Sequence, residues 1–294
     1  MVKAIKTHAP KESKTAMAKR LGISRSSLYY RLKLPSKDLK LKTAIKQVMK
    51  DNKAYGHKRI AIDLGINKKR VLRVMRLFKL KPQRMRHKKP DKPEDKGNAP
   101  LAIPNLIADL VVDHFGQVWV VDFTYLWFAG AFVYLATVED LFTRQIIGFA
   151  ISTKHNVKLV TAALLDALSK YPAPDIVHSD RGSEYVSGKN MDLLKVAGIK
   201  PSMSDKASPW QNGYQESFYS EFKLELGDPN ACESLGQLAE AIAQQIFYYN
   251  NKRIHSALKC PPAVFAKRCE LTKNALNALK IINNSAECKK RILV

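Results

Sequence analysis

The sequence has few cysteines, no long apolar run and, in its first third, few acidic residues. Its four cysteines (Cys232, Cys260, Cys269 and Cys288) have no paired spacing, and none lies near a histidine at zinc-finger spacing. We therefore expect free thiols in a reducing compartment, and neither a disulfide framework nor a structural zinc site. No apolar run approaches the roughly 18 residues that span a bilayer, and the first residues lack the apolar segment of a secretion signal. These absences predict a soluble, cytoplasmic protein without a membrane partner.

The shortage of acidic residues is confined to the front of the chain. Residues 1–100 contain 30 Lys and Arg against 7 Asp and Glu, whereas residues 101–294 contain 20 against 19. The formal net charge of +24 therefore lies almost entirely in the first third. Such asymmetry predicts a polyanion-binding front region attached to a near-neutral globular body. Charge alone permits either RNA or DNA as the polyanion.

The first module predicted within the basic region covers residues 1–36. Gly22 lies where a tight turn would join two helices, and Ser24 can cap the second one. This pattern is typical of a helix-turn-helix, in which Arg25, Ser26 and Tyr29 lie on the candidate DNA-recognition helix. A generic basic helical hairpin is the alternative.

A second basic helical module is predicted at residues 37–81. Its last helix has apolar residues at spacings of three and four (Val71, Val74, Met75 and Phe78), with Asn67 as the candidate cap. The remaining positions of this helix supply cations for DNA phosphates: Lys68, Lys69, Arg70, Arg73 and Arg76. Arg59, from the helix before it, is added to the predicted DNA contacts. Residues 82–105, rich in proline and charge, are predicted to form a flexible basic linker.

The body of the chain, residues 106–270, has a mixed order of elements. Strands are predicted at 117–126, 130–138, 144–153, 174–179 and 199–204, and helices at 157–171, 188–197, 212–226 and 233–251. This order predicts an α/β fold with a mixed five-stranded sheet flanked by helices, and it is the order of the ribonuclease-H-like fold. The all-α helix-turn-helix modules precede it. Residues 271–294 are predicted to form a basic helical tail without an assigned role.

Three carboxylates stand out from this pattern. Asp122 interrupts an apolar strand, Asp180 ends another, and Glu216 lies early in a helix, with 35 residues between Asp180 and Glu216. A carboxylate in an apolar strand is costly unless a cation or a donor satisfies it. Carboxylate oxygens suit Mg²⁺ or Mn²⁺, and phosphodiester chemistry uses two such ions roughly 3.5–4 Å apart. We expect Asp122 to bridge both ions, with Asp180 and Glu216 each holding one. Lys223, two helical turns after Glu216 and on the same face, can hold the phosphate.

Each of these acids also has an ordinary structural interpretation. Asp122 could end a strand at a turn, Asp180 could be a turn residue before Gly182, and Glu216 could be a solvated helix position. The remaining acids near the motifs are assigned to other roles: Glu184 follows the Gly182 break, Glu139 and Asp140 cap a hairpin, and Glu221 and Glu225 face solvent. For His178 and His255 we expect satisfied structural histidines.

Taken in order, the motifs resemble those of a known family, the OrfB-type transposases of bacterial insertion sequences. These are DDE enzymes with the retroviral-integrase catalytic core. The motifs are Val121-Asp-Phe-Thr-Tyr125, His178-Ser-Asp-Arg-Gly-Ser-Glu-Tyr185, Ser208-Pro-Trp-Gln-Asn-Gly-Tyr-Gln-Glu-Ser-Phe218, Lys223 and Tyr248-Tyr-Asn-Asn-Lys-Arg-Ile-His-Ser-Ala-Leu258. Upstream, Tyr55-Gly-His-Lys-Arg-Ile60 and Asn67-Lys-Lys-Arg-Val71 are similar to its N-terminal helical segment. The resemblance covers roughly residues 24–268.

The resemblance implies magnesium-dependent cleavage at insertion-element ends and joining of the 3′-hydroxyls to target DNA. It implies that Asp122, Asp180 and Glu216 hold the metal ions and that Lys223 contacts DNA near the scissile phosphate. The implied partners are double-stranded DNA (terminal inverted repeats and target), further copies of the chain, and an upstream-frame protein, within the bacterial nucleoid. The zinc module of retroviral integrases and the leucine zipper of the first-frame partner have no counterpart in this sequence. A catalytically silent DNA-binding repressor and a nonspecific nuclease are the alternatives.

Overall fold

The computed structural model describes residues 13–29, 34–83, 103–204 and 213–272. The front part contains α1 (Lys14–Arg20), a 3₁₀ helix (Arg25–Tyr29), α2 (Leu34–Asp51), α3 (His57–Asp63) and α4 (Lys68–Leu77). The body contains β1 (Val118–Phe128), β2 (Ala131–Asp140), β3 (Ile146–Ser152), α5 (Val157–Leu168), β4 (Ile176–Ser179), α6 (Gly188–Val196), β5 (Lys200–Met203), α7 (Gly213–Leu226), a 3₁₀ helix (Pro229–Ala231) and α8 (Leu235–Asn251). A further helix covers 262–272. None of the described helices is long and apolar enough to cross a membrane.

The first module has the predicted turn between two helical segments. Gly22 has φ +63°, a conformation that favours glycine, so the chain can reverse after α1. Ser24 Oγ accepts a hydrogen bond from Ser27 N at 3.3 Å, as a cap does. The second segment is described only as the 3₁₀ helix, because residues 30–33 lie outside the described ranges.

Helices α2 to α4 pack around their own apolar cluster. Ile45, Ile60 and Val71 are fully buried there. Asn67 Oδ1 accepts from Lys69 N at 2.8 Å, which confirms the predicted cap of α4. The same cluster includes Ile254, which follows α8. The front module therefore shares a packed core with the body of the protein.

The body is built on a five-stranded mixed sheet in the order β3-β2-β1-β4-β5. The first three strands are antiparallel, and β4 and β5 are parallel to β1. Strand β1 pairs with β4 only over Val118–Val120, whereas its pairing with β2 continues to Phe128. The β1–β2 hairpin therefore projects beyond β4. Its two turn residues, Ala129 and Gly130, both have positive φ (49° and 82°), the conformation of a tight hairpin turn.

Helices cover both faces of the sheet. On one face, α5 and α6 cover Trp119, Val121 and Val138. A Cβ at Gly148 would lie 2.6 Å from the Ala163 carbonyl oxygen, so the glycine lets α5 approach β3 closely. On the other face, α7 and α8 cover a second cluster, which contains Leu126, Leu135, Phe218, Phe222 and Ile242.

This architecture confirms the predicted ribonuclease-H-like fold class. The predicted strands and helices agree with those observed to within a few residues at each end. Within the predicted linker, residues 84–102 lie outside the described ranges, and Ile103 is already buried in the main core. Residues 273–294, most of the predicted tail, also lie outside. The three described cysteines (Cys232, Cys260 and Cys269) are free, as expected.

Candidate active site

Asp122, within β1, and Asp180, directly after β4, lie at the same end of the sheet, where the parallel pairing of these two strands stops. Asp122 comes two residues after Val120, the last β1 residue paired with β4, and Asp180 directly follows the end of β4. Both side chains are half-buried. Asp122 Oδ1 accepts from Phe123 N at 2.8 Å, and Asp180 Oδ1 accepts from Gly182 N at 3.0 Å. Each carboxylate is thus held by a local backbone donor.

Glu216 lies in the first turn of α7, and its side chain is exposed. Two residues that flank it attach α7 to the main chain of β1. Gln215 Nε2 donates to Val120 O at 3.0 Å, and the hydroxyl of Tyr219 donates to Asp122 O at 2.7 Å. These bonds hold the start of α7 over the strand that bears Asp122. Neither residue was predicted to have a role from the sequence, where their only signal was a polar side chain and a tyrosine four residues apart on a helix.

Electrostatics couple the three predicted carboxylates and one more. Burial raises the pKa of Asp122 well above its usual value, and the negative charges of Asp180, Glu216 and Glu184 raise it further. Burial also raises the pKa of Asp180, and so does the charge of Glu184. Several carboxylates that repel one another at this partly buried end of the sheet form a place where a cation would be stabilised.

Glu184 lies beside Asp180, although the break at Gly182 was expected to separate them. A Cβ at Gly182 would lie 2.6 Å from Glu184 Oε1 and 3.1 Å from Asp180 Oδ1. Glycine therefore allows the two carboxylates to approach the same point. His155 Nε2 lies 3.2 Å from Glu184 Oε1, and its ring packs 4.2 Å from that of Phe123. No sequence signal identified His155, which lies in the loop between β3 and α5.

Lys223 lies on α7 with Glu216, two turns further along. Its Nζ lies 4.5 Å from the ring centroid of Tyr125 on β1. Burial lowers the pKa of Lys223 to about 8. The ammonium group faces the aromatic ring of the projecting hairpin, on the strand that also bears Asp122.

The carboxylates at this end of the sheet fit a hard divalent cation. Carboxylate oxygens are the ligands that Mg²⁺ and Mn²⁺ prefer, and the pKa of Asp122 is raised first by burial and then by the negative charges of Asp180, Glu216 and Glu184. Among the described residues, however, no three His, Cys, Asp or Glu side chains lie close enough together to form a metal site by themselves. The case for a divalent cation here thus depends on the oxygen ligands that the carboxylates offer and on the repulsion between these carboxylates.

The predicted DNA contacts differ in how free their side chains are. Lys68, Lys69 and Arg70 are exposed at the start of α4, and Arg25 and Ser26 are exposed after the Gly22 turn. Arg73, half-exposed, forms a bidentate ion pair with the buried Asp38, at 2.5 and 2.8 Å. The side chain of Tyr29 lies outside the described set.

The expectation that Glu221 and Glu225 face solvent is wrong. Glu221 accepts from Arg59 at 2.7 Å and also pairs with Arg253. Glu225, 5% exposed, accepts from Arg253 Nε at 3.1 Å, and the Arg253 side chain is 1% exposed. A neighbouring bond joins the same two regions, because Ile254 N donates to the Tyr55 hydroxyl at 2.6 Å. This side of α7 therefore docks against the front module, and Arg59 belongs to that contact.

The structural roles expected for Asp140 and His178 are confirmed. Asp140 caps the β2–β3 turn, because its carboxylate accepts from Thr143 N and from Gly116 N, each at 2.8 Å. His178 is fully buried, and its ring nitrogens lie 2.9 and 3.1 Å from the hydroxyls of Ser202 and Ser204.

Comparison with known proteins adds independent findings. Residues 113–209 and 197–262 match two families described as integrase core domain, and residues 13–33 match the Fis family of bacterial regulatory proteins. The transposase for insertion sequence element IS904 of Lactococcus lactis subsp. lactis (strain IL1403) is 37% identical, over 74% of this chain and 89% of its own length. The putative transposase InsK for insertion sequence element IS150 of Escherichia coli (strain K12) is 30% identical, over 81% of this chain and 87% of its own length. The HTLV-2 integrase catalytic core domain, solved in complex with magnesium, gives a TM-score of 0.40 at 18% identity, over 51% of this chain and 96% of that one.

Proposed function

The chain belongs to the bacterial insertion-sequence transposases that carry an integrase core domain, and from this premise we propose that it cleaves the ends of its element and joins the freed 3′-hydroxyls to target DNA. One observation carries this proposal. Asp122 and Asp180 lie where the parallel pairing of β1 and β4 stops, and α7, which bears Glu216, is hydrogen-bonded to β1. The electrostatic coupling of these carboxylates supports a shared role.

In this proposal Asp122, Asp180 and Glu216 hold two magnesium or manganese ions. When bound, such ions activate the attacking oxygen and stabilise the leaving oxygen of a phosphodiester. Water is the first nucleophile and the freed 3′-hydroxyl the second, so no side chain needs to form a covalent bond to DNA. Lys223 holds a phosphate beside the carboxylates, while Gln215 and Tyr219 keep α7 in position.

The basic front region is proposed to grip the DNA. Lys68, Lys69 and Arg70 stand exposed at the N-terminus of α4, where backbone N–H groups also favour a phosphate. The helix-turn-helix segment, with Arg25, Ser26 and Tyr29, is proposed to contribute the sequence-specific contacts. If the front region contacts six to ten phosphates, raising the salt concentration from about 50 to 200 mM should weaken DNA binding roughly 10³–10⁵-fold. Joining two element ends also requires at least two active sites, which favours an oligomer.

The test compares Asp122→Asn with Asp109→Asn, a control that removes one exposed carboxylate outside the site. Each protein is incubated with magnesium and labelled DNA that carries the element's ends, and nicking and joining are measured separately. Loss of one metal ligand should reduce both steps at least about 100-fold, a loss comparable to that of one transition-state donor, whereas the control should match the unmodified protein.

Equal joining by the Asp122→Asn variant and the control would end this assignment. Tight binding to the end repeats without cutting, in magnesium or manganese, would indicate a DNA-binding repressor instead. Hydrolysis of labelled ends without joining would indicate a nuclease.

A further inference from the structure

The projecting β1–β2 hairpin has an aromatic face that the helices leave partly open. Alternate β1 residues Phe123, Tyr125 and Trp127 point to one face. Directly across, Tyr134 pairs with Tyr125, and Phe132 pairs with Trp127. Trp127 is 51% exposed and Phe132 39% exposed. We call these five residues the aromatic face.

Phe123 and Tyr134 pack against the main core, whereas Trp127 and Phe132 extend beyond it and are exposed. The opposite side of the hairpin belongs to the second core. Leu126, Phe128 and Leu135 are buried there under α7 and α8. Large aromatic residues on the open side, where polar residues are the usual choice, therefore need another explanation. Monomeric proteins rarely leave such patches exposed without a binding role.

The rings form a continuous row that leads to the carboxylates. Trp127 and Phe132 have centroids 4.9 Å apart at 73°, and Phe132 lies 5.5 Å from Tyr125 at 77°. Tyr134 stacks on His155 at 5.4 Å, and His155 packs on Phe123. Phe123 directly follows Asp122, and His155 contacts Glu184. One end of the row thus reaches the candidate active site.

Cationic groups flank the row at the same end. Lys223 Nζ lies over Tyr125, and the exposed Lys154 precedes His155 in the chain. A ligand that suits this surface has flat π-systems joined by anionic groups at short intervals, which is the chemistry of a single nucleic-acid strand. An aliphatic protein surface would match the rings but would gain nothing from the cations.

We propose that the aromatic face binds unpaired nucleobases of the DNA strand whose phosphate lies at the carboxylates. The identity of that strand rests on the proposed function; the stacking surface itself does not. Stacking tolerates any base because every base has a π-face. Bases that lose their partners near the cleavage point would therefore be held by the hairpin, so that frayed or mismatched ends bind better than fully paired ends.

The experiment measures binding by the full chain without magnesium, so that no cutting is scored. The probes are a single strand of arbitrary sequence containing 2-aminopurine and the fully paired duplex of the same sequence. Trp127→Ala and Phe132→Ala are compared with Phe247→Ala, which removes a 60% exposed aromatic ring from α8. Because one stacked base contributes roughly a 5- to 150-fold factor in affinity, we expect about a 10-fold weaker Kd for the single strand in each hairpin variant.

The expected pattern has three further parts. Duplex affinity should change less than about twofold, the 2-aminopurine quenching of the unmodified protein should decrease, and Trp127→Tyr should restore single-strand binding. Phe247→Ala should behave as the unmodified protein. Melting temperatures should stay equal, since these rings are exposed.

Two results would overturn the proposal. One is an equal loss, or no loss, on the single strand and the duplex. The other is conversion of an oligomer to monomers by Trp127→Ala with DNA binding unchanged, which would assign the face to contact between copies. If the stacking result holds while the unmodified protein never cuts or joins DNA, the proposed function fails and the aromatic face stands.

Discussion

The buried ion-pair cluster around Arg253 offers a sharp test of how α7 is held. Arg253 is 1% exposed and pairs with Glu225, 5% exposed, and with Glu221, 28% exposed. Arg253→Met keeps most of the apolar stem but leaves the carboxylate of Glu225 buried without its cation. Removing one partner of a buried pair costs roughly 3–5 kcal/mol. Glu221 loses less, because it is more exposed and remains paired with Arg59. We therefore expect a loss at the lower end of this range, about 3 kcal/mol.

This loss can be measured by thermal unfolding. For domains of this size, 1 kcal/mol lowers Tm by roughly 2–4 °C, so Arg253→Met should unfold about 6–12 °C lower. Lys252→Met is the matched control, because it removes an adjacent positive charge that is exposed. Glu225→Gln in the Arg253→Met background should recover part of the loss, since it removes the stranded charge.

A double-mutant cycle of Arg253→Met and Glu225→Gln decides whether the loss of stability comes from the buried pair. A coupling of about 1 kcal/mol or more between positions 253 and 225 would support the buried pair. Strand-transfer activity should fall as the fraction of folded protein falls. If α7 also shifts, activity should fall further than the loss of folded protein explains, because the same helix bears Glu216 and Lys223. If Arg253→Met unfolds within about 0.5 kcal/mol of Lys252→Met, which is the scatter of ordinary surface substitutions, the buried pair does not hold α7.

Two further predictions concern pH. Burial lowers the pKa of Lys223 to about 8, so its positive charge is lost as pH rises through that value. The ratio kcat/KM for strand transfer, which reports the ionisation of the free enzyme, should therefore fall above about pH 8. Lys223→Arg should keep kcat/KM high beyond about pH 9, and a parallel decline in both proteins would contradict the role of this charge. Burial raises the pKa of Glu139 to about 8, with Arg144 opposing it. The folded state therefore keeps a proton that the unfolded state releases between about pH 4.5 and 8, so the free energy of unfolding should decrease across this window. Glu139→Gln, which cannot ionise, should lose that decline, by roughly a few kcal/mol at about pH 8.5 in urea unfolding; identical slopes would refute the assignment.

The sheet and helices were predictable because local signals agree with the global fold. Apolar runs and turn residues located the five strands, and capping side chains located helix starts. Asn67, the predicted cap, accepts from Lys69 N at the start of α4. Asn156 and Ser234 cap α5 and α8 in the same way, although the sequence alone had not singled them out. The motif acids Asp122 and Asp180 were located for a related reason. Each sits at the end of a buried pairing, and the parallel ladder of β1 and β4 brings such ends together.

The contacts that hold the site were not predictable, because their partners are distant in the chain. Gln215 and Val120 are 95 residues apart, and Arg59 and Glu221 are 162 residues apart. A charged residue on a helix is expected in solvent unless it is paired, and no local pattern announces a partner from another module. This is why Glu221 was predicted to face solvent and Arg59 to face DNA. The open aromatic face was missed similarly, since alternation alone predicts a strand but not which face a helix leaves bare.

Helix α7 therefore joins three functions on three sides. One side carries Glu216 and Lys223, an apolar side packs Phe218 and Phe222 into the second core, and the remaining side pairs Glu221 with Arg59 of the front module. Because a packed helix moves as a unit, a displacement of α3 by bound DNA would act on the helix that positions the third carboxylate. The charge asymmetry of the sequence and the acidic cluster of the body thus meet at one element. We therefore expect DNA binding and catalysis to be coupled through α7 for as long as Arg59 and Glu221 stay paired.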